Sequence, residues 1–306
     1  NKTRVFSKHH RQLVTNLVVN KKVNVPSSYY RATRSMCHQF FMERKYQIDG
    51  VDVNGFDRLR GRLNYIFYVR DLADNRDLKE KKDFPRGDEL LYLKFLNFIT
   101  FRANAAPLLV CEGGTDSIYI RCAINSLKRD IKLRYFKYSK LSERVMRLGG
   151  GVAPLKNLIK KYKEIASISQ KHKPENPVIL LIDNDEGASG IFSLAKQMFK
   201  KDIKKETKED FYHLMDNLYL IKIPEDGGKD RVIENLFEKK LLNEKYEGRS
   251  FSLSNDWDKD KEYGKSIFAK EIILKKASLI NFNGFSSLLD RIEAAIADYT
   301  KKLAGN

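Results

Sequence analysis

The segment that most constrains the fold runs from Pro177 to Ala188 and reads Pro-Val-Ile-Leu-Leu-Ile-Asp-Asn-Asp-Glu-Gly-Ala. Its run of apolar residues, followed at once by acids and a glycine, predicts a strand buried on both faces, as in parallel sheets. Because side chains alternate along a strand, Asp183 and Asp185 are expected on the same side, with Glu186 pointing away. Open α/β sheets place their sites at this end of the strands. Two adjacent carboxylates repel each other, which favours a cation between them.

A second segment, from Pro107 to Asp116, follows the same plan, with Glu112 and a glycine pair directly after the apolar residues. If both strands belong to one parallel sheet, their carboxylates meet at one edge. Such a group offers Mg²⁺ or Mn²⁺ the hard oxygen ligands that these ions prefer. From Pro107 onward the chain alternates between strand and helix patterns, which indicates βαβ units. We expect strands at 107–111, 132–137, 177–182 and 217–222, and helices near 115–127, 153–165, 188–200 and 230–240.

A glutamate after one strand and Asp-x-Asp after a later one resemble the TOPRIM domain, which topoisomerases, primases and OLD-family nucleases share. The resemblance is carried by Glu112, Asp183 and Asp185, in the contexts Glu-Gly-Gly-Thr-Asp and Ile-Asp-Asn-Asp-Glu-Gly-Ala. It implies an α/β fold with a Rossmann-like parallel sheet flanked by helices. It also implies that these three acids are catalytic and, with Asp116, bind the metal.

Two later segments resemble the OLD-type nucleases. Ile-Glu-x-Leu-Phe contains Glu234 where that family has a glutamate that joins the metal site. Tyr-Gly-Lys-Ser-Ile-Phe-Ala-Lys resembles the segment that holds their catalytic lysine, and we assign that role to Lys265 rather than to Lys270. In an amphipathic helix, a glutamate such as Glu234 is otherwise most often a solvated surface residue.

The charge of the chain favours a polyanionic partner. Its formal net charge of +18 over 306 residues, with a pI near 9.6, is typical of proteins that bind nucleic acid. An anionic membrane surface is the weaker alternative, because no apolar run approaches the ~18 residues that a span requires. Three cysteines without paired spacing predict reduced thiols and a cytoplasmic protein. The basic bias is also local, since residues 1–42 contain Lys and Arg but no Asp or Glu.

The opening of the chain resembles the thumb of a retron reverse transcriptase. The resemblance rests on Val-Thr-Asn-Leu-Val-Val-Asn-Lys-Lys-Val-Asn-Val-Pro, on Tyr-Tyr-Arg-x-x-Arg-x-Met-Cys-His and on Leu-Arg-Gly-Arg-Leu-Asn-Tyr-Ile. Asn16 stands where the family has the glycine of a Val-Thr-Gly triplet. No Tyr-x-Asp-Asp polymerase motif is present, so the palm of a polymerase is not in this sequence. The residues expected to contact RNA are Arg11, Lys21, Lys22, Tyr30, Arg31 and Arg34.

These patterns predict a thumb-like, mostly helical domain at 1–70, a mixed-charge linker at 71–89, and a TOPRIM domain with a C-terminal helical extension at 90–306. The function expected from the resemblance is a metal-dependent nuclease in anti-phage defence, held in check by retron RNA and its reverse-transcribed DNA. Two alternatives stay open: a module that binds retron RNA–DNA without catalysis, and a topoisomerase-like phosphodiester transferase. The sequence does not distinguish DNA, RNA and transfer RNA as substrates, and it is compatible with a homo-oligomer.

Overall fold

A computed structural model describes residues 10, 12–169, 171–254 and 256–305. The chain forms two compact units: unit 1 extends to Ala103 and includes Glu164–Lys173, and unit 2 contains Asn104–Lys163 and the chain from Pro174 onward. Unit 1 is mainly helical. Its elements are β1 (Leu13–Val14), β2 (Leu17–Val18), α1 (Ser27–Glu43), β3 (Lys45–Ile48), β4 (Val51–Asn54), α2 (Asp57–Leu72), α3 (Leu78–Asp83), α4 (Gly87–Asn97) and a π-helical turn, Phe98–Arg102.

Unit 1 opens with a tight hairpin. Strands β1 and β2 pair antiparallel with Val14 opposite Leu17, which leaves Thr15 and Asn16 as a two-residue turn. Both turn residues have positive φ, 48° and 64°. Glycine and asparagine accept this left-handed conformation most readily. Asn16 is therefore a residue type that suits this turn.

The boundary of unit 1 differs from the predicted one. Residues 71–89, expected to form a linker, contain α3 and a network of ion pairs. Asp74 pairs with Arg76 at 2.7 Å and with Arg86, and Arg70 reaches the buried Asp88 at 3.0 Å. Helix α4 then packs on the preceding helices, with Phe67 and Tyr92 ring centroids 5.7 Å apart. A segment with many charges was interpreted as a solvated linker, whereas its charges pair with one another and fix it to the helices.

Unit 2 is an α/β structure. Its elements are β5 (Leu108–Cys111), α5 (Asp116–Ser126), β6 (Arg134–Tyr135), a π-helical turn (Ser142–Met146), α6 (Val152–Ala166, whose last three residues belong to unit 1), β7 (Val178–Ile182), α7 (Ser189–Phe199), β8 (Tyr212–Met215), β9 (Leu218–Lys222), a 3₁₀ turn (Ile233–Leu236), α8 (Lys239–Leu242), β10 (Ser250–Phe251), β11 (Glu262–Tyr263), α9 (Lys265–Ile267), a π-helical turn (Phe268–Leu274), 3₁₀ turns (Ala277–Leu279 and Asn283–Phe285) and α10 (Ser286–Ala304).

The main sheet of unit 2 has five strands in the order β6-β5-β7-β9-β8. Strands β6, β5, β7 and β9 are parallel, and β8 joins the edge antiparallel to β9. The α/β class and the four predicted strands are confirmed, while β8 was not predicted. The predicted helix near 230–240 is wrong. Its backbone has other partners, because Arg231 pairs with Asn184 in an extended bridge and the amide of Ile233 donates to Asp183.

One face of this sheet carries the core of unit 2. Alternate residues of β5, β7 and β9, such as Leu109, Ile179 and Ile221, pack in one cluster with α5 and α10. Residues between them, such as Val110 and Leu180, are equally buried. Burial on both faces is what the continuous apolar strand sequences predicted. It fixes the strands rigidly, so the residues that follow them are placed by the sheet.

Candidate active site

The carboxyl ends of β5 and β7 bring the first two acids together. The strands are neighbours with Cys111 opposite Leu181, so Glu112 and Asp183 leave the sheet side by side. The amide of Glu112 continues the ladder to Leu181 O at 2.9 Å. The amide of Asp183 then donates to Glu112 Oε2 at 3.3 Å. The adjacency inferred from the two strand patterns is therefore present.

Asn184 separates the two aspartates and faces the interior. Its backbone pairs with that of Arg231, with N···O distances of 2.8 and 2.9 Å, and its side chain is fully buried. This bridge draws the segment after β9 over the end of β7, so that Ile233 N donates to Asp183 Oδ1 at 3.0 Å. The sequence analysis did not select Asn184. Its position between two acids that share one side of the strand is the signal that it lies on the opposite side.

Asp185 and Glu186 differ in their surroundings. Asp185 is half-buried, and its Oδ1 accepts from Ala188 N at 3.2 Å, just before α7 begins. Glu186 is exposed. Strand β7 ends at Ile182, so both residues belong to the loop before α7; the charge of Asp185 acts on Glu112, whereas Glu186 is in solvent.

Asp116 is held by the glycine turn after β5. Its Oδ2 accepts from Gly113 N at 2.8 Å, and the residue is buried. A Cβ atom at Gly113 would lie 2.6 Å from Asp116 Oδ1, so only glycine allows this approach. The close turn explains why a glycine follows Glu112 directly.

Glu234 and Lys265 complete the cluster. Glu234 has no exposed surface and lies in the 3₁₀ turn, directly after Ile233, whose amide donates to Asp183. It is therefore not the solvated helix residue that was the alternative. Lys265 Nζ contacts Glu234 Oε2 at 3.1 Å, whereas Lys270 is exposed. Glu234 Oε1 is buried and has no hydrogen-bond partner among the described residues. The Tyr119 hydroxyl adjoins the same carboxylate, whose charge contributes, after burial, to the raised pKa of that tyrosine.

The sole tryptophan of the chain lies next to this lysine. A Cβ atom at Gly264 would stand 3.0 Å from Trp257 Nε1, so the indole packs on the backbone immediately before Lys265. The half-buried Trp257 thereby marks the start of the short helix that carries the lysine.

The acids interact electrostatically as one group. Burial, then the charges of Asp116 and Glu112, raise the pKa of Asp183 to about 8. Burial and the charge of Glu234 raise the pKa of Asp116 to about 6. The pKa of Glu112 is also raised, by burial and by Asp185 and Asp116. For Lys265 burial lowers the pKa, but the surrounding acids outweigh it and the net shift is upward. Like charges are thus concentrated around Lys265, and Lys205 also interacts with Asp185.

The donor set fits a hard divalent cation in chemistry and charge. All five carboxylates offer oxygen, and the repulsion between them is what a dication relieves. In their present positions, however, no three His, Cys, Asp or Glu side chains of the described residues are arranged to hold one metal ion. The carboxylates accept backbone N–H groups instead, at Ile233, Gly113 and Ala188.

A buried ionic cluster lies behind the aspartates. Lys222, at the end of β9, is 1% exposed, donates to Lys205 O at 2.8 Å and lies 3.7 Å from Glu225. Arg291 of α10 reaches Glu225 at 2.7 Å. Asn184 donates to the same Lys205 carbonyl at 3.0 Å. These contacts fix the segment that follows β9 and therefore the position of Glu234.

The residues predicted to contact RNA lie in unit 1. Lys21, Lys22, Arg31 and Arg34 are exposed, and the two arginines form no ion pair among the described residues. The half-buried ring of Tyr30 packs under the Arg70 guanidinium, 4.4 Å from the ring centroid, beside the core around Val25. The remaining residue, Arg11, lies outside the described residues.

Comparison with known proteins adds no assignment. No protein-family model matches the chain, and no solved structure is significantly similar to it. Among the described residues, none of the helices is both long enough and apolar enough to cross a bilayer. Cys37, Cys111 and Cys122 are free and buried.

Proposed function

We propose that this chain is a metal-dependent nuclease of the TOPRIM type, acting on phosphodiester bonds with Mg²⁺ or Mn²⁺. The observation that supports it best is the convergence of five carboxylates and one lysine, from four separate segments, at the carboxyl edge of a parallel sheet. Packing does not account for this group, because burying like charges together destabilises a fold. The residues are Glu112, Asp116, Asp183, Asp185, Glu234 and Lys265.

The roles of the residues follow from their positions. Glu112, Asp183 and Asp185 would hold the ion at the sheet edge, with Asp116 and Glu234 beside them. When bound, the ion supplies an activated water and neutralises the leaving oxygen. Lys265 keeps its proton, since the acids raise its pKa against the effect of burial. Its ammonium group, placed 3.1 Å from Glu234, would neutralise charge that develops on the phosphate.

The resemblance of the opening segment extends the proposal. A thumb-like unit 1 would bind retron RNA and its reverse-transcribed DNA through exposed cations such as Arg31 and Arg34, and that complex would restrain the nuclease until phage infection. One observation supports this part: both arginines are exposed without an ion pair among the described residues.

A module that binds nucleic acid without cleaving it is the second candidate. One observation favours it: no three of the described acids are positioned to share an ion as they stand. In that case the acids would hold a structural cation or remain partly protonated, and the basic surface would provide the function. A cleavage assay separates the two candidates.

The test compares two neighbouring acids. Labelled single-stranded DNA, duplex DNA, messenger-like RNA and transfer RNA are incubated with the full chain, with EDTA or with added Mg²⁺ or Mn²⁺. We expect metal-dependent cleavage of at least one substrate by the parent and by the Glu186→Gln control. Asp183→Asn, Asp185→Asn and Glu112→Gln should each abolish it, because the residues of one site fail as a unit. Cleavage by Asp183→Asn at the parental rate would refute the nuclease and leave the binding module.

A further inference from the structure

Helix α6 carries three lysines on one line. Lys156, Lys160 and Lys163 are spaced four and three residues apart, so they lie on the same face of the helix. Lys160 and Lys163 are exposed and Lys156 is partly exposed. None of the three forms an ion pair among the described residues, whereas Lys205, Lys276 and Lys302 of the same unit pair with acids. We call Lys156, Lys160 and Lys163 the lysine stripe.

The lysine stripe begins at the acidic edge of the sheet. Gly151, directly before α6, donates to Glu112 O at 2.9 Å, and a Cβ atom at Gly187 would lie 3.7 Å from Val152. Lys156 Nζ is placed over the start of α7, only 2.7 Å from where a Cβ of Gly190 would be. At ~1.5 Å rise per residue, the stripe extends about 10 Å away from this edge.

The stripe is electrostatically unfavourable for the isolated helix. Lysines at i,i+4 and i,i+3 repel each other by roughly 0.2–0.5 kcal/mol per pair at low salt. A solvated face tolerates such a cost anywhere on the surface, and Glu164, four residues after Lys160, offsets part of it, but here the three lysines form a single line that begins beside the carboxylates. Such an arrangement attracts a polyanion and aligns it with the acidic edge.

We propose that the lysine stripe binds the backbone phosphates of a nucleic-acid strand next to the bond that the acidic edge cleaves. The identity of the bound polymer rests on the proposed function. Lysine ammonium groups contact phosphates as point charges and read no base edges, so binding through the stripe is independent of sequence. DNA and RNA strands share this chemistry.

The experiment compares two triple variants with the same change in charge. One is Lys156→Gln/Lys160→Gln/Lys163→Gln. The control is Lys132→Gln/Lys200→Gln/Lys301→Gln, three exposed lysines of unit 2 that lie outside α6. Fluorescence anisotropy of labelled single-stranded DNA, single-stranded RNA and duplex DNA is measured in EDTA over a range of salt concentrations, with circular dichroism as the check on folding.

For single strands, we expect the negative slope of log K against log[salt] to become shallower by about 2 in the stripe variant, since each phosphate contact contributes ~0.7 to its magnitude. Its affinity at low salt should fall at least tenfold, while the control variant keeps the parental slope. All variants keep unit 1 unchanged, so its contacts with the probe are the same in the three proteins. Parental salt dependence in the stripe variant overturns the inference, even if Asp183 proves essential for cleavage. Conversely, the expected loss of binding without any metal-dependent cleavage would support the surface and refute the nuclease.

Discussion

Replacing Asp183 by asparagine is expected to stabilise unit 2 when no divalent ion is present. The introduced amide keeps the size of the side chain and an oxygen for the Ile233 amide, but it carries no charge. In the parent, burial and the neighbouring acids raise the pKa of Asp183 to about 8. Between about pH 4 and about pH 8 the unfolded chain has lost this proton while the folded unit retains it. The stability of the parent therefore falls as pH rises through this window.

The size of the effect follows from the two pKa values. Each unit of pH between them removes up to ~1.4 kcal/mol, so by about pH 7 the loss reaches roughly 4 kcal/mol relative to about pH 4. Glu112 and Asp116 share the same repulsion, which makes this figure an upper limit for Asp183 itself. At neutral pH in EDTA, the variant should exceed the parent by a few kcal/mol in free energy of unfolding.

Trp257 provides the assay, because it is the only tryptophan and belongs to unit 2. Urea unfolding followed by its emission, in EDTA between about pH 5 and about pH 8, should give a falling stability for the parent and a flatter curve for the variant. Mg²⁺ at 100 times its dissociation constant should then add about 2.7 kcal/mol to the parent and little to the variant. Parallel pH curves for the two proteins would refute the electrostatic argument. Equal stabilisation by Mg²⁺ would refute the metal site.

Three further substitutions test separate features. Gly113→Ala puts a Cβ 2.6 Å from Asp116 Oδ1 and should weaken Mn²⁺ binding about tenfold, or ~1.4 kcal/mol, as measured by calorimetry. Unchanged affinity would exclude Asp116 from the site. Arg291→Met leaves Glu225 and Lys222 without their third partner and should lower the urea-derived free energy of unfolding by about 3 kcal/mol, where a neutral effect would show that the cluster is dispensable. Thr15→Gly relieves a β-branched residue at φ 48° and should stabilise unit 1 by about 1 kcal/mol in thermal unfolding; a loss would mean that the Thr15 hydroxyl matters more than its backbone.

The sequence was most informative about the buried strands, because burial determines both their apolar composition and their place in the sheet. The apolar runs before Glu112 and Asp183 predicted two buried parallel strands, and burial on both faces leaves no other arrangement for such residues. The adjacency of the acids followed from that. The sequence did not indicate the antiparallel strand β8, because Tyr212–Met215 is only four residues long and alternately buried. The turn residues Asp216 and Asn217, which connect it to β9, were the available signal. The Asp49-Gly50 pair is a similar turn signal, and it connects the antiparallel strands β3 and β4.

The hydrophobic and charge patterns of the sequence did not predict contacts between segments that are distant along the chain. Periodicity suggested a helix near 230–240, but the bridge between Asn184 and Arg231 and the bond from Ile233 to Asp183 compete for the same backbone groups. Rules based on neighbouring residues cannot identify partners that lie about 50 residues apart in the sequence. The same holds for the predicted linker, where Asp74 and Arg86 looked like solvent-exposed charges and instead pair with each other. The complete burial of Glu234 was equally invisible from its own helix-like neighbourhood.

The ion pair between Arg291 and Glu225 affects when the acidic edge can form during synthesis of the chain. The acidic edge gathers residues that emerge from the ribosome far apart in time, from Glu112 to Lys265, and the segment that presents Glu234 is clamped by an arginine of the last helix. A nascent chain that stops before Lys265 lacks the cation, and one that stops before Arg291 lacks the clamp. Partial translation products thus contain the acids without their final arrangement, and the acidic edge can assemble only after Arg291 has been synthesised.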